Sequence, residues 1–395
     1  MLFNSVGFLI FFPIVLLVCF AIPEKIRYLW LLAASYYFYM CWNAKYAVLL
    51  LTSTVITYAS GLLLERVKGL EIDEIKKIRY KKAVVALSFI SNLGILCYFK
   101  YINFIIFNLT KAFSLININL SVPAVDVILP VGISFYTFMA VGYIVDVYRG
   151  KTRAVRHFGK YAIFVSFFPN ISSGPIERAG HFIPQIDKEK SFDYDSVVYG
   201  ARLLLLGLIK KIVIADMMTK YVDEVFNKVP EHYGICFAWA TLLYTFQIYC
   251  DFSGYSDMAV GAARMLGFDL IQNFRQPYLA ASIKEFWARW HISLSTWFRD
   301  YVYIPLGGNR CSKTRRDMNL LITFLCSGLW HGASWTFVLW GGIHGVCQII
   351  ENRIKERIGL TGEKEKALEN WHRAVQFNST SPTLEQKIRQ QKYLE

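Results

Sequence analysis

Charge is scarce in this 395-residue chain. Asp, Glu, Lys and Arg make up 18% of it, against roughly 25% in soluble domains, while hydrophobic residues reach 55%. A soluble fold of this length needs more charge to cover its surface. The shortage therefore excludes the two- or three-domain globular protein that length alone suggests. Paired cysteines are missing as well. Cys19, Cys41, Cys97, Cys236, Cys250, Cys311, Cys326 and Cys347 form no CxxC, and most lie inside apolar stretches. That excludes a zinc site or disulfide framework built on them and leaves buried small hydrophobes. The chain has no His-Glu-x-x-His, no Gly-x-Ser-x-Gly elbow, and no Walker or dinucleotide fingerprint after a strand, so no metal is expected and the usual serine-hydrolase and nucleotide-binding motifs are out. No basic residue precedes Lys25. A secretory leader would lack its basic region, and residues 5–22 are expected to stay as a first span. There is no internal repeat, and with it goes the expected signature of a transporter built from two repeated halves.

What the sequence does hold is a series of apolar runs, at about 5–22, 28–42, 46–64, 83–107, 127–148, 197–215, 235–250 and 318–350. A helix needs about 20 apolar residues to cross the hydrocarbon core, and most of these runs approach that length. The short run at 28–42 carries Tyr36, Tyr37, Phe38, Tyr39 and Trp42, which suits an interfacial belt. The net charge of +14 raises the question of a nucleic-acid partner, but its basic residues sit in short loops between the runs. One loop, 65–82, carries Arg66, Lys68, Lys76, Lys77, Arg79, Lys81 and Lys82; another, 149–160, carries Arg149, Lys151, Arg153, Arg156 and Lys160. By the positive-inside rule both are cytoplasmic, the N-terminus is outside, and the partner is a lipid bilayer rather than nucleic acid.

Three stretches depart from simple spans. Residues 161–190 hold a short apolar piece, then Pro169 and Ser172-Ser173-Gly174-Pro175, which stop a helix; they predict a surface loop or a re-entrant segment lining a cavity. Residues 281–316 mix Trp, Arg and His with Lys284, Glu285, Arg289, His291, Arg299 and Asp300, which lipid would not tolerate, so they belong at an interface or line the interior. The run at 318–350 is interrupted at His331-Gly332-Ala333-Ser334. As a hairpin it predicts arms of about 14–16 residues, or roughly 21–24 Å; as one tilted helix it still leaves His331 near mid-depth. Glycines and alanines over 254–267 predict close helix packing. A polar tail follows, 359–395 after a membrane domain of 1–358, and is expected to be cytoplasmic.

Of seven histidines, His157, His181, His232 and His372 read as solvated. His331 lies in Gly-Leu-Trp-His-Gly-Ala-Ser-Trp, where glycines allow close approach and Trp330 and Trp335 wall the side chain. An imidazole kept neutral by burial can accept a proton from a hydroxyl, as a general base must. A packing histidine is the plainer alternative. His291, among Trp287, Arg289 and Trp290, divides between function and a structural polar network. His344 reads as structural, and Gly307-Gly308 as a turn.

The segments FQIYCDFSGYSDMAVGAARMLGFDL, NFRQPYLAASIKEFWARWHISLSTWFRDYVYIPLGGNR and GLWHGASWTFVLWGGIHG, together with SSGPIERAGHFIPQ and the opening LFNSVGFLIFFPI, resemble the membrane-bound O-acyltransferase family, over roughly residues 1–350. The resemblance is to its bacterial alginate O-acetyltransferase type. It implies an all-α polytopic membrane protein of about 9–11 transmembrane or re-entrant helices around a central tunnel, in the bacterial plasma membrane. It maps the family's hallmark histidine to His331 and its second polar position to His291. By the same resemblance the donor is a cytoplasmic acyl-CoA, commonly acetyl-CoA, and the acceptor an extracytoplasmic polysaccharide, reached with a secreted or membrane-anchored acyltransferase partner. Trp287, Arg289, Arg299, Trp330, Trp335, Asp251 and Tyr255 are the candidates for substrate binding. Arg299, Arg310, Lys313, Arg315 and Arg316 form a basic stretch suited to coenzyme phosphates, although positive-inside topology explains them equally. Relatives of this type generally continue with further membrane helices where this chain has its polar tail. D-alanyl transfer to teichoic acid and a shortened homologue without activity are the alternative expectations.

Overall fold

The computed structural model describes residues 1–118 and 122–358; the expected polar tail lies outside the described residues. Among the described residues every regular element is helical. The chain opens on α1 (Val6–Ala21), whose first turn is capped by Ser5 Oγ accepting from Phe8 N at 3.2 Å, a side-chain cap that meets one orphan donor. Its buried stripe, Phe8, Phe11, Phe12, Val15 and Cys19, repeats at helical spacing. Then come α2 (Glu24–Met40), α3 (Tyr46–Lys68) and α4 (Glu74–Ser114).

The basic stretch read as a loop over 65–82 is mostly helix: α3 runs to Lys68 and α4 begins at Glu74. Lys, Arg and Glu are good helix formers, so leaving the apolar layer does not end the helix. With 41 residues, α4 is about 60 Å long, twice the hydrocarbon thickness. The helices α3, α4 and α11 (described below) are long and apolar enough to cross a membrane, and α1 and α5 (Ile133–Tyr148) are shorter apolar helices. Thirteen of the sixteen residues of α5 are buried, and it packs on α3 and α4.

Residues 161–190 are not a surface loop. They fold as α6 (Phe158–Ser166), α7 (Phe168–Ile171) and α8 (Ala179–Ile186), and Phe164, Phe167, Phe168, Ile171 and Phe182 are sealed from solvent. Next, α9 (Tyr194–Leu208) passes through a π-helical stretch, Ile209–Ala215, into α10 (Asp216–Asn227). The run at 235–250 and the small-residue stretch after it form one helix, α11 (Gly234–Met265). It packs on α9 through glycines, as expected: a methyl on Gly254 would stand 2.8 Å from the Gly207 carbonyl oxygen, and one on Gly200 2.6 Å from that of Gly261.

The amphipathic region folds as α12 (Ile283–Arg289), α13 (Ile292–Phe298) and a π turn, Arg299–Tyr303. Gly307 and Gly308 have φ of 116° and 53°, the turn the sequence suggests. The last two helices, α14 (Lys313–His331) and α15 (Trp335–Arg357), form a hairpin, which rules out the single long helix. Its arms have 19 and 23 residues, longer than expected, because the charged ends also wind into helix. They do so in pairs: Arg316 bonds Glu356 at 2.5 Å, Lys313 meets the same carboxylate at 3.0 Å, and Arg353 Nε donates to Asp317 at 2.7 Å. His331 lies fourteen residues beyond Asp317, about 21 Å along the axis at 1.5 Å per residue.

Candidate active site

His291 stands between α12 and α13 with φ 44°, a left-handed conformation that is uncommon for non-glycine residues and in which His is enriched. The neighbouring loop holds it there. Ile292 N donates to the Asn273 carbonyl at 3.0 Å and Ser293 N to Asn273 Oδ1 at 3.2 Å. The segment Ser172–Gln185 supports this loop. Glu177, fully buried, accepts from Ile271 N at 2.6 Å and from His181 Nδ1 at 2.9 Å. Ile176 N donates to Ser293 Oγ at 3.0 Å. Gln185 and the Asp269 backbone exchange bonds of 2.9 and 2.8 Å. A motif far from α12 in sequence thus fixes the turn that carries His291.

The His291 ring is 1% exposed. It meets Phe252 edge-on at 4.6 Å, Phe135 at 6.4 Å and Trp330 at 5.9 Å between ring centroids. His331, half-buried at the end of α14, meets the other side of the cluster, with Trp330 at 5.0 Å and Trp340 at 4.8 Å. One indole, Trp330, therefore touches both imidazoles. Beyond Trp340 the aromatic wall continues to His344 at 4.7 Å and from there to Trp287 at 5.1 Å.

Buried polar atoms almost always have partners. Here His291 Nδ1 and Nε2, His331 Nε2, Asn273 Nδ2, Trp330 Nε1 and Trp287 Nε1 are all buried without a protein partner. Five of these six atoms sit on rings of one aromatic wall, and the sixth belongs to Asn273, which braces the turn carrying His291. Among the described residues no three His, Cys, Asp or Glu side chains come together as metal ligands.

Of the expected binding residues, Trp330 and Trp287 belong to this wall. The others lie elsewhere. Trp335 donates its indole N–H to Asn108 Oδ1 at 2.7 Å and is 62% exposed. Arg289 is tied to Glu285, and Arg299 to Asp300 at 2.9 Å. Asp251 pairs with Lys211 at 2.6 Å, and Tyr255 packs on Phe3 at 6.4 Å. These contacts account for the side chains without reference to the histidines. In the basic stretch, Lys313 and Arg316 are held by Glu356, while Arg310 and Arg315 are exposed. Of the other histidines, His181 is bound to Glu177 rather than simply solvated, His157 caps α6 by accepting from Lys160 N at 3.3 Å, and His372 lies outside the described residues.

Sequence reasoning passed over Phe135, Phe252, Asn273, Glu177, Trp340 and Lys100. Lys100 left a signal, a lone charge inside the apolar run 83–107. It donates to the carbonyl of Trp330, one residue before His331, and, at 3.1 Å, to Ser134 Oγ.

Comparison with known proteins gives the family. A model of the membrane-bound O-acyltransferase family matches residues 152–365. A probable alginate O-acetylase, AlgI, of Azotobacter vinelandii is 41% identical over 357 residues, 90% of this chain and 69% of the relative. A peptidoglycan O-acetyltransferase of Helicobacter pylori is 38% identical over 371 residues, 87% of this chain and 67% of the relative. A teichoic acid D-alanyltransferase of Streptococcus thermophilus is 31% identical over 254 residues, 60% of each chain. The chain thus spans about two thirds of the length of its alginate and peptidoglycan relatives.

Proposed function

The chain belongs to the membrane-bound O-acyltransferase family, and we propose that it moves an acetyl group from cytoplasmic acetyl-CoA toward hydroxyls of an extracytoplasmic polysaccharide or cell-wall polymer. The observation that carries this reading is the pair of imidazoles on Trp330, their buried nitrogens without protein partners. In it His331 Nε2 takes the proton of the acceptor hydroxyl as the oxygen attacks the thioester. His291, fixed by the Asn273 loop, holds the donor end.

A coenzyme with several phosphates crosses a bilayer at great cost. A passage through a multi-pass bundle in the bacterial plasma membrane, with His331 inside it, lets the small acyl group travel while the coenzyme stays behind. Arg310 and Arg315, exposed where the hairpin's charged ends meet, suit the phosphates. The higher identity and coverage of the acetylating relatives favour acetyl over D-alanyl transfer. A secreted or membrane-anchored acyltransferase partner would complete delivery to the polymer.

The test uses proteoliposomes with labelled acetyl-CoA at the cytoplasmic face and de-O-acetylated alginate oligomers or peptidoglycan fragments on the other. His331→Ala is expected to slow acetylation about 10²–10⁴-fold, the span of general-base catalysis, while the protein elutes as a single species from a sizing column. A variant as fast as the parent refutes the assignment.

A further inference from the structure

We infer that Lys100 is a further catalytic residue of this acyl transfer, the cation that receives the negative charge developing on the thioester carbonyl oxygen; the inference rests on the acetyl-transfer reading. An ionisable side chain inside an apolar span is costly and needs a reason. Lys100 forms no ion pair among the described residues. Its ammonium has three donors. One goes to the Trp330 carbonyl and one to Ser134 Oγ at 3.1 Å, and the third has no acceptor among the described residues. The ammonium nitrogen is 5.4 Å from the centre of the Trp330 indole, the ring that touches both His331 and His291. Cation, base and second imidazole therefore surround one side chain.

The plainer role is to cap α14, whose last carbonyls have no helical partner. That role needs no charge. The adjacent Tyr101 fills it for Leu329 with a neutral hydroxyl, donating to the carbonyl at 2.6 Å. A lysine at the next carbonyl adds a full positive charge and a spare N–H, and acyl transfer needs both. The acceptor hydroxyl oxygen bonds to the thioester carbon while His331 takes its proton. The carbonyl electron pair moves to oxygen, where the third Lys100 N–H meets it. The oxyanion then collapses, the C–S bond breaks, and the thiolate recovers the proton from the imidazolium. The products are an acetyl ester and a free thiol, with no change in oxidation state.

The experiment compares Lys100→Gln, Lys100→Arg and His331→Ala in the same proteoliposomes with labelled acetyl-CoA. Gln keeps an N–H donor for the Trp330 carbonyl but no charge, so a pure cap would survive. Lys100→Gln is expected to lower kcat about 10²–10³-fold, as loss of an oxyanion donor does, with KM for acetyl-CoA little changed, and Arg is expected to restore part of the rate. Should Lys100→Gln not fold, Ser134→Ala takes its place: a lower kcat at unchanged KM supports the inference, and an unchanged kcat overturns it. A Gln variant with the parent's kcat beside an inactive His331→Ala overturns the role of Lys100 and leaves the acetyl-transfer reading standing. An active His331→Ala brings down that reading, and this inference with it.

Discussion

Two helix pairs in this molecule carry ionisable side chains at one level of the fold and treat them in opposite ways. In the pair formed by α9 with its π-helical continuation and α11, the charges of the π-helical stretch and the facing turns of α11 are ion-paired. Lys210 meets Asp257 at 2.6 Å, and Lys211 lies between Asp251 at 2.6 Å and Asp216 at 2.9 Å. In the α14–α15 hairpin and the turn packed on it, His331 and His291 present nitrogens that the protein leaves unpaired. The two layers share a depth, since Phe252, next to Asp251 in α11, packs against His291. Ion pairs tie the π-helical stretch to α11, whereas the two imidazoles are held by aromatic packing that leaves ring nitrogens without a protein partner. On the paired side lie Asp251, bound to Lys211, and Tyr255, packed on Phe3, two of the residues the sequence offers for substrate binding.

The contrast breaks most sharply if the two layers respond alike to substitution. His331→Phe keeps a ring against Trp330 and Trp340 but removes the nitrogens. Activity is expected to fall about 10²–10⁴-fold, while the thermal midpoint in detergent holds or rises, because a buried polar atom without a partner contributes nothing to the fold. A lowered midpoint with activity intact would place His331 in the scaffold.

On the paired side the outcome reverses. Asp257→Leu leaves Lys210 without its carboxylate in a largely buried position and is expected to cost about 2–3 kcal/mol in a denaturant titration, with kcat preserved in the protein that remains folded. Adding Lys210→Met should recover most of that loss, since an apolar pair of similar shape needs no desolvation. A double variant no more stable than the single one would show that the pair does more than satisfy itself. Gly328→Ala tests the hairpin's own packing. A methyl there meets the Phe337 carbonyl oxygen and Gly341, so the arms must separate, at about 1–3 kcal/mol by the usual cost of overpacking. Because His331 rides on one arm, this variant should lose turnover together with stability.

How much of this was legible follows the range over which each feature is set. The membrane character and the glycine seam of α11 were readable because composition and short motifs carry them locally. The α3–α4 connection was not. Apolar content ends at the edge of the lipid layer, but helix propensity does not, so Lys76 to Lys82 continued as helix where the hydropathy pattern suggested a loop. The same effect lengthened the hairpin arms through Lys313–Asp317. Lys100 was hidden for a different reason. Its meaning depends on a carbonyl 230 residues away, and alone in an apolar run it is just an exception. Glu177 and Asn273 stood in recognised motifs, yet their task, bracing a left-handed turn in another segment, exists only once three loops have met.

That bracing supplies the smallest expected effect and a pH dependence. His181, outside the spanning helices, has its pKa raised above the ordinary value of about 6.5, chiefly by the hydrogen bond to Glu177 and against a weaker effect of burial. A raised folded-state pKa means that the folded protein holds this proton more tightly than the unfolded chain. The stabilisation is therefore complete below the unfolded value and fades as pH rises through the folded one. His181→Gln should lower the thermal midpoint at about pH 6 and hardly at all near pH 8.5. The imidazole is 42% exposed, so solvent screening limits the difference to about 1 kcal/mol or less. A penalty that grew toward high pH would mean that the neutral ring, rather than the imidazolium, is what Glu177 retains. The brace under His291 would then rest on Ile271 N and the Gln185–Asp269 exchange alone.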